Sequence, residues 1–259
     1  MEKEYHILSL SGGKDSTALA FFMRDNMPEI FEKLELVFCD TEQEIPETYD
    51  YLNKIEIFLN KKITILKPEK SFDHLYDIRK FLPSIVNRWC TGDLKIRVYE
   101  KYIKSKYLEK NKNAIIYTYV GIRSDELGRG ISNSNKRIIV KYPFQEFCIS
   151  RDDIFKILYD VGINLPDYYR WRKRSGCYFC FYQSQNDWLN LYEHHPDLFF
   201  KAMEYEKFND KQAKIYGWNV NMCLKDMILP ENIKKIKENY AKIKKEAKSY
   251  KSLSLINQL

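Results

Sequence analysis

The sequence predicts an α/β fold, in which a parallel sheet carries helices on both faces and a mostly helical region follows. Short apolar runs alternate with stretches of helical spacing over residues 5–120, which is typical of strand–helix units. The first apolar run ends in a Gly-Gly turn, and the alternation stops after about residue 150. Because the carboxyl ends of parallel strands meet at one edge of the sheet, we expect the functional site at that edge.

Apolar content and spacing define the individual elements. Four runs rich in β-branched and aromatic residues are predicted as buried strands, at 5–10, 34–39, 62–66 and 114–120. Helices are predicted over 14–24, 46–59 and 93–107, the second of which begins at a proline, as a first helical turn tolerates. Further helices are predicted over 152–159, 185–194, 197–208 and 231–250. We therefore expect a nucleotide-binding domain over residues 1–150, with a helical, cysteine-containing region over 151–259 packed on it.

Composition narrows the class of protein. Among 259 residues, 43 Lys and Arg against 36 Asp and Glu give a net charge of +7, which fits either an anionic partner or a lysine-rich solvated surface. The chain begins MEKEYHILSL, without an export signal, and no apolar run approaches the roughly 20 residues of a membrane helix. These features predict a cytoplasmic protein with no membrane association. In a reducing cytosol, the six cysteines indicate metal or redox chemistry and not disulfides.

The turn between the first strand and the first helix, SGGKDS at 11–16, is predicted to bind phosphate. Gly12 and Gly13 let backbone amides approach phosphate oxygens, and the positive end of the helix points at the same anion. Lys14 adds a charge, and the two serines add hydroxyls. The Walker loop is different, because its glycines lie further apart and it ends GK[ST]. The structural alternative is an ordinary Gly-Gly turn with a capping side chain.

Several motifs occur in the order of a known family. After SGGKDS come CDTE at 39–42, PET at 46–48 and GIRSDE at 121–126. In this order they resemble the phosphoadenosine phosphosulfate reductase family, within the adenine nucleotide alpha-hydrolase-like superfamily. The resemblance implies a Rossmann-like fold and a PP-loop enzyme that cleaves ATP, with Mg²⁺, between the α and β phosphates. The chain departs from the family pattern after Glu126, where no serine follows.

The resemblance also implies which residues form the site. Lys14, Asp15 and Arg123 are the predicted catalytic residues. Lys14 and Arg123 would neutralise developing negative charge, while Asp15 or Asp40 would help to hold Mg²⁺. The predicted nucleotide-binding residues are Ser11, Gly12, Gly13, Lys14, Asp15, Ser16, Asp40, Thr41, Gly121, Arg123 and Arg129. The structural alternatives are a helix-entry turn after the second strand and a solvated charged loop after the fourth.

The cysteines are the second candidate site. A C-x-x-C pair at 177–180 is half of a metal site, Cys90 is the best third ligand, and Cys223 is preferred over Cys148 as the fourth. The surrounding RWCT and GCYFCFYQ segments resemble the sulfur-transfer branch of the superfamily. A [4Fe–4S] cluster with one open iron would suit sulfur delivery, and a zinc site or free thiols are the alternatives. Cys39 and Cys148 are expected to behave as small hydrophobes. The predicted metal ligands are therefore Cys90, Cys177, Cys180 and Cys223.

The stretch YYRWRKR at 168–174 interleaves aromatic rings with cations. Rings stack on bases and cations bind phosphates, so Arg170, Arg172 and Arg174 are expected to contact DNA or tRNA. The alternatives are binding of the extra phosphates of a small nucleotide, or packing with the charged ends in water. The lysine-rich final helix is expected to be amphipathic, with its apolar stripe packed and its lysines solvated.

These features together predict an ATP pyrophosphatase that adenylates a substrate for sulfur transfer, with nucleic acid as the acceptor, as in DNA phosphorothioation. The resemblance implies a sulfur donor such as a cysteine desulfurase. The retained SGGKDS loop favours ATP as the ligand. The alternatives are a phosphoadenosine phosphosulfate or adenosine phosphosulfate reductase, a tRNA thiolation enzyme, and a regulatory module that binds ATP without turnover.

Overall fold

The structure, a computed structural model, describes residues 3–126, 128–130, 135–174, 176–209, 214–219 and 221–256. The chain forms two compact units. The first is drawn from residues 1–79 and 88–177, and the second from 80–87 and 178–259. This division differs from the predicted boundary at residue 150, because the helix Arg151–Asp160 places Ile154 and Leu158 in the main core of the first unit.

A five-stranded parallel sheet forms the centre of the first unit. Its strands are β1 (Lys3–Leu10), β2 (Leu34–Cys39), β3 (Ile63–Leu66), β4 (Ala114–Tyr119) and β5 (Ile138–Lys141). Their order is β3-β2-β1-β4-β5, and each neighbouring pair is parallel. The predicted α/β fold and its four predicted strands are confirmed. Strand β5 was not predicted, because it has four partly exposed residues and an edge position.

The order of the strands fixes where a ligand can bind. β1 pairs with β2 on one side and with β4 on the other. The chain runs outward from β1 through β2 to β3, and only later fills the other side with β4 and β5. The direction of winding therefore reverses between β1 and β4. In doubly wound sheets the ligand binds beyond the carboxyl ends of the strands at this point, so the loops after β1 and β4 frame the candidate site.

Helices pack on both faces of the sheet. The helices of the first unit are α1 (Lys14–Asn26), α2 (Pro28–Lys33), α3 (Pro46–Leu59), α4 (Phe72–Arg79), α5 (Trp89–Thr91), α6 (Arg97–Ile103), α7 (Pro143–Glu146) and α8 (Arg151–Asp160). Ile7 and Leu8 are consecutive in β1 and belong to two different hydrophobic clusters, since neighbouring strand residues point to opposite faces. The Leu8 cluster includes residues of α1, α3 and α8, and the Ile7 cluster includes Ile103 and Leu108.

Of the four helices predicted within the first unit, the first, second and fourth occur at the expected positions, as α1, α3 and α8. The third, expected over 93–107, lies within a helical run in which α5 and α6 alternate with the π-helical turns Gly92–Ile96 and Lys104–Leu108. The short helices α2, α4 and α7 were not predicted, because four to eight residues carry too little of the apolar repeat for a pattern to be recognised.

The second unit is mostly helical and has an aromatic core. It contains α9 (Gln185–His194), α10 (Pro196–Met203), β6 (Lys207–Asn209), β7 (Lys214–Tyr216), α11 (Leu224–Met227) and α12 (Pro230–Ile256). Trp188 contacts Phe199 and Trp218, and Trp218 stacks on Phe179. The helix predicted over 197–208 is too long, because the chain leaves α10 at Met203 and enters the β6–β7 hairpin. No helix within the described ranges combines the length and the apolar character needed to cross a membrane.

Candidate functional site

The loop between β1 and α1 is organised by its own hydroxyl groups. The Ser16 hydroxyl accepts a hydrogen bond from the Ser11 amide at 3.1 Å and lies 3.0 Å from the Ser11 hydroxyl. The Gly13 carbonyl accepts bonds from Ser16 at 3.2 Å and from the Thr17 side chain at 2.8 Å. These bonds close residues 11–17 into a compact bend at the carboxyl end of β1, where the sequence predicts a phosphate site.

Gly12 is required by the close approach of another helix. Its φ of +67° lies in the left-handed region that favours glycine. A Cβ at this position would also lie 2.7 Å from Cγ2 of Thr48, in the first turn of α3. The PET motif therefore packs directly under the bend, which explains why the two motifs occur in one site.

The N-terminus of α1 faces out of this bend without a side-chain cap. Its N-cap residue is Gly13, which has no side chain to accept hydrogen bonds from the first turn. The Lys14 amide has a long contact, 3.5 Å, to the phenol oxygen of Tyr169. The first-turn amides and the positive end of a 13-residue helix are thus directed at one region, which is the arrangement that binds anions.

The predicted catalytic charges form one connected group. Asp15 accepts from Lys14 Nζ at 2.5 Å with one oxygen and from Arg123 Nη1 at 2.9 Å with the other. Arg123 Nε also donates to Asp125 at 2.8 Å, and Glu126 accepts from the Arg123 amide at 3.2 Å and from the Arg129 guanidinium. Lys14 and Arg123 were expected to face a phosphate group, and here they share the carboxylate of Asp15. Burial opposes the charge on Arg123, but hydrogen bonds to Asp125 and Asp15 raise its pKa.

Gly121 brings the loop after β4 against the start of α1. A Cβ built on Gly121 would lie 2.9 Å from the carbonyl oxygen of Asp15 and 3.2 Å from the Ser16 nitrogen. These are backbone atoms, which cannot move aside as a flexible side chain can. The absence of a Cβ therefore allows Arg123 to reach Asp15 across the switch point.

The carboxyl end of β2 carries a buried polar turn. Asp40 is only 4% exposed and accepts hydrogen bonds from the Glu42 amide and the Tyr49 hydroxyl, both at 2.8 Å. Burial and the bond to Asp40 raise the pKa of Tyr49, so its hydroxyl stays protonated and donates. Thr41 is buried as well and donates to Glu44 at 3.1 Å. The predicted helix-entry turn is therefore also a polar site.

Three buried side-chain atoms near this turn have no hydrogen-bond partner among the described residues. They are Gln43 Oε1, Glu44 Oε2 and Thr48 Oγ1. Buried polar atoms in native proteins are almost always hydrogen-bonded, so such a concentration indicates a bound polar ligand or water. The Thr48 methyl group lies against Gly12, so the hydroxyl on the same Cβ is close to the bend of residues 11–17. Gln43 Oε1 and Glu44 Oε2 only accept hydrogen bonds, so a ligand hydroxyl, a ligand amino group or a water would satisfy them, whereas the Thr48 hydroxyl can also donate to a ligand oxygen.

The cysteines occupy different environments. The Cys177 thiol lies 3.2 Å from the Thr41 hydroxyl and 3.6 Å from a Glu44 carboxylate oxygen. Cys223 donates to Asp226 at 2.8 Å, and burial with this hydrogen bond raises its pKa. Cys90 and Cys180 are half-buried. Across the described ranges, no group of three or more His, Cys, Asp or Glu side chains is arranged to hold a metal ion. The four-ligand metal site therefore stays a prediction that these side-chain positions do not support.

The two remaining cysteines differ from each other. Cys39 is buried, as expected of a small hydrophobe, and burial raises its pKa to about 11. Cys148 is exposed, so the same expectation is wrong for it. Its φ of +54° places it in a turn after α7, away from the apolar core.

The aromatic-basic stretch is partly internal. Tyr168 is fully buried, and its hydroxyl donates to the Gly12 carbonyl at 2.7 Å. Arg172 is 1% exposed and donates to the carbonyls of Gly176 and Cys177, so the expectation that it contacts nucleic acid is wrong. Arg170 is exposed and lies 3.4 Å from Asp167. Tyr168 and Arg172 therefore pack inside the protein, as the packing alternative for this stretch predicts.

Sequence reasoning missed several residues of this site. Thr48 was named only within the PET motif, Glu44 lies between that motif and CDTE, and Tyr168 was named only within the aromatic-basic stretch. The signal for Thr48 was its place two residues after a helix-opening proline, where a first-turn side chain can reach a neighbouring loop. Nothing in the local sequence indicates the contact between Tyr168 and Gly12, because it joins segments 156 residues apart.

A five-stranded parallel sheet with this strand order and with helices on both faces is a Rossmann-like α/β fold. Residues 5–141, just over half of the chain, match the phosphoadenosine phosphosulfate reductase domain, and the chain belongs to that family. The family resemblance drawn from the motifs is confirmed. The family includes enzymes, among them the reductase for which it is named.

The individual proteins that resemble this chain share only 16–26% sequence identity with it. An uncharacterized protein of Methanocaldococcus jannaschii is 26% identical over 218 residues, which cover 78% of this chain and 48% of the relative. The chain thus spans about half the length of this curated relative. A crystal structure of phosphoadenylyl-sulfate reductase from Candida auris, a phosphate complex, has a TM-score of 0.51 at 16% identity, covering 70% of this chain and 83% of that one. This likeness shows the fold alone.

A further similar structure is a U34-tRNA thiolase of Methanococcus maripaludis with its [4Fe–4S] cluster. It is 16% identical, with a TM-score of 0.41, and the match covers 77% of this chain and 69% of the thiolase. A score of this size is too low to carry an argument about this chain.

Proposed function

We propose that this protein is an ATP pyrophosphatase that adenylates a substrate for sulfur transfer. The observation that carries the proposal is the bend of residues 11–17, at which the uncapped N-terminus of α1 and the charges of Lys14 and Arg123 meet at the switch point of the sheet. This arrangement suits an anion with several phosphate groups. The SGGKDS sequence of the bend favours ATP over a phosphosulfate.

In the proposed reaction a substrate oxygen attacks the α-phosphorus of ATP, the bond to the β-phosphate bridge oxygen breaks, and pyrophosphate leaves. A sulfur nucleophile then displaces AMP from the adenylated substrate. The first-turn amides of α1 and Lys14 would hold the leaving pyrophosphate, while Arg123 would neutralise charge that develops on the phosphates. Mg²⁺, bound by Asp15 or Asp40 with phosphate oxygens, would supply further charge neutralisation.

Nucleic acid is the proposed acceptor of the sulfur. The net charge of +7 and the exposed Arg170, directly after the tyrosines of the site, support this choice. Binding through phosphate contacts would weaken steeply as salt rises. A salt-insensitive affinity for DNA and tRNA would contradict the proposed acceptor without affecting the phosphate site. The proposed sulfur donor is a separate protein such as a cysteine desulfurase.

The second candidate is a phosphoadenosine phosphosulfate reductase, which the family membership favours. The two activities separate cleanly, because one releases pyrophosphate from ATP and the other releases sulfite from phosphosulfate. We expect pyrophosphate and AMP from ATP, with no sulfite from phosphosulfate in the presence of thioredoxin or dithiothreitol. Sulfite release without ATP cleavage would replace the first proposal by the second. ATP binding without turnover, with every acceptor offered, would indicate a regulatory module.

A further inference from the structure

Tyr169 lies at the mouth of the phosphate loop. Its phenol oxygen is 3.5 Å from the backbone nitrogen of Lys14, the first residue of α1. This distance is at the long limit of a hydrogen bond, so the hydroxyl does not fully satisfy the amide. The same amide is one of the first-turn donors that a bound anion would use. The hydroxyl of Tyr169 and the amide of Lys14 therefore border the same small space.

Tyr168 fixes the position of Tyr169. The Tyr168 side chain is fully buried, and its hydroxyl donates to the Gly12 carbonyl at 2.7 Å. The two tyrosine rings stack with their centroids 4.9 Å apart. Both residues belong to the single 3₁₀ turn Asp167–Arg170. Two neighbouring tyrosines thus contact two neighbouring parts of one loop, which restricts how far Tyr169 can move from it.

An independent observation concerns Thr48, which packs against Gly12 of the loop. The methyl group of Thr48 packs against Gly12, and the buried hydroxyl on the same Cβ has no hydrogen-bond partner among the described residues. Because buried hydroxyls are almost always hydrogen-bonded, this one indicates a water or a ligand oxygen close to the bend. An oxygen-rich ligand is the chemical class that would satisfy both this hydroxyl and the first-turn amides.

We propose that Tyr169 is a phosphate-contact residue, whose hydroxyl donates to the phosphate oxygen that also receives the Lys14 amide, and that Tyr168 positions it. The ligand class is the pyrophosphate end of a nucleotide, so this proposal rests on the proposed function. A phenol adds a directed hydrogen bond without adding charge. It would therefore strengthen binding of the phosphate end without changing affinity for the nucleoside end.

The test is calorimetric titration of inorganic pyrophosphate, and separately of AMP, into the full-length protein. Tyr169→Phe removes only the hydroxyl, and we expect about tenfold weaker pyrophosphate binding, as for loss of a hydrogen bond to a charged group. Its affinity for AMP and its melting temperature should stay those of the wild type. Tyr159→Phe, on α8 with 76% of the side chain exposed, is the matched control and should bind as the wild type does.

The alternative role for Tyr169 is that of a plain cap on the Lys14 amide, and it makes the opposite forecast. Removing a cap frees the amide, so Tyr169→Phe would then bind pyrophosphate as tightly as the wild type or more tightly, and this result would overturn the proposal. Tyr168→Phe should lower both the melting temperature and pyrophosphate affinity while leaving the AMP affinity unchanged. Unchanged pyrophosphate affinity would overturn its positioning role. A wild-type protein that bound neither pyrophosphate nor ATP would overturn the proposed function as well.

Discussion

The loop after β4 touches the first helix at Gly121, so a substitution of this residue should change both stability and ligand binding. Gly121→Ala puts a methyl group 2.9 Å from the Asp15 carbonyl, so the loop must shift away from α1. We expect a loss of about 1–3 kcal/mol in the free energy of unfolding, typical of overpacking, with clearly weaker pyrophosphate binding. Urea unfolding and calorimetry measure the two effects.

Gly92→Ala is the matched control for this substitution. Gly92 has helical φ and ψ, and a Cβ there would meet no atom within 4 Å. Alanine should therefore leave pyrophosphate binding unchanged and stabilise the fold slightly, by about 0.4–1 kcal/mol. Equal effects of the two substitutions would show that the close approach at Gly121 is not needed.

A second substitution, at Asp15, should change how tightly the protein binds pyrophosphate. It neutralises Lys14 and Arg123 at once, with distances of 2.5 and 2.9 Å. In a metal-free buffer, Asp15→Asn should therefore bind pyrophosphate several-fold more tightly, because two cations lose their shared counter-charge. With Mg²⁺ and ATP, the same variant should turn over more slowly if Asp15 helps to hold the metal.

A neutral control accompanies the Asp15 experiment. Asp25→Asn removes an exposed charge at the far end of α1, where Asp25 pairs with Arg24. This variant should bind and turn over as the wild type does. Weaker metal-free binding by Asp15→Asn would contradict the view that Asp15 competes with the phosphate for the two cations.

At the scale of single elements, Glu35 links strands and helix on the Ile7 side of the sheet. It accepts hydrogen bonds from Thr64 in β3 and from Lys106, both at 2.8 Å, and from Tyr102 and Tyr107. Burial alone would raise the pKa of Glu35, but these hydrogen bonds together lower it below its ordinary value. One carboxylate thus joins β2, β3 and the helical run that follows α5.

The pH dependence of stability follows from this lowered pKa. The stabilisation by ionised Glu35 is complete above its unfolded pKa of about 4.3, and it is lost as pH falls through the lower folded pKa. Glu35→Gln should therefore be less stable than the wild type at neutral pH, with a difference that narrows below about pH 4. Urea midpoints across this range measure it. A difference that stayed constant with pH would contradict an ionised Glu35 in the fold.

Elements with a long apolar repeat or a run of β-branched residues could be predicted, and α1, α3 and β2 are examples. Strand β5 could not, since its position is fixed by pairing with β4 and not by a buried alternating pattern. The same distinction applies to the site. The Gly12 bend is encoded locally, whereas the burial of Arg172 and the contact of Cys177 with Thr41 depend on how distant segments meet.

At the level of the whole molecule, the division into two compact units does not follow the motifs of the sequence. The C-x-x-C pair straddles the two compact units, with Cys177 at the end of the first and Cys180 in the second. Sequence spacing could therefore suggest a shared metal, but it could not show where the side chains lie. The Cys177 thiol lies 3.2 Å from the Thr41 hydroxyl and 3.6 Å from a Glu44 carboxylate oxygen.

The metal content of the purified protein tests the predicted cysteine-ligated metal site. If Cys90, Cys177, Cys180 and Cys223 bind a [4Fe–4S] cluster, anaerobic purification should give a brown protein with about four iron and four sulfide per chain. Cys177→Ala should then lose the cluster, while Cys148→Ala, an exposed cysteine, should keep it. Zinc without iron or sulfide would favour the closed site, and no metal would favour free thiols.

We propose that the bend after β1 holds the outer phosphates of ATP, and the products of ATP turnover are the test of this role. With Mg²⁺ and an acceptor nucleic acid, ³¹P spectra of the wild-type reaction should show AMP and pyrophosphate in equal amounts. Lys14→Ala should retain the melting temperature and lose most of this turnover, because it removes a charge that faces the leaving group. Products of ADP and phosphate, or full turnover by Lys14→Ala, would contradict the account.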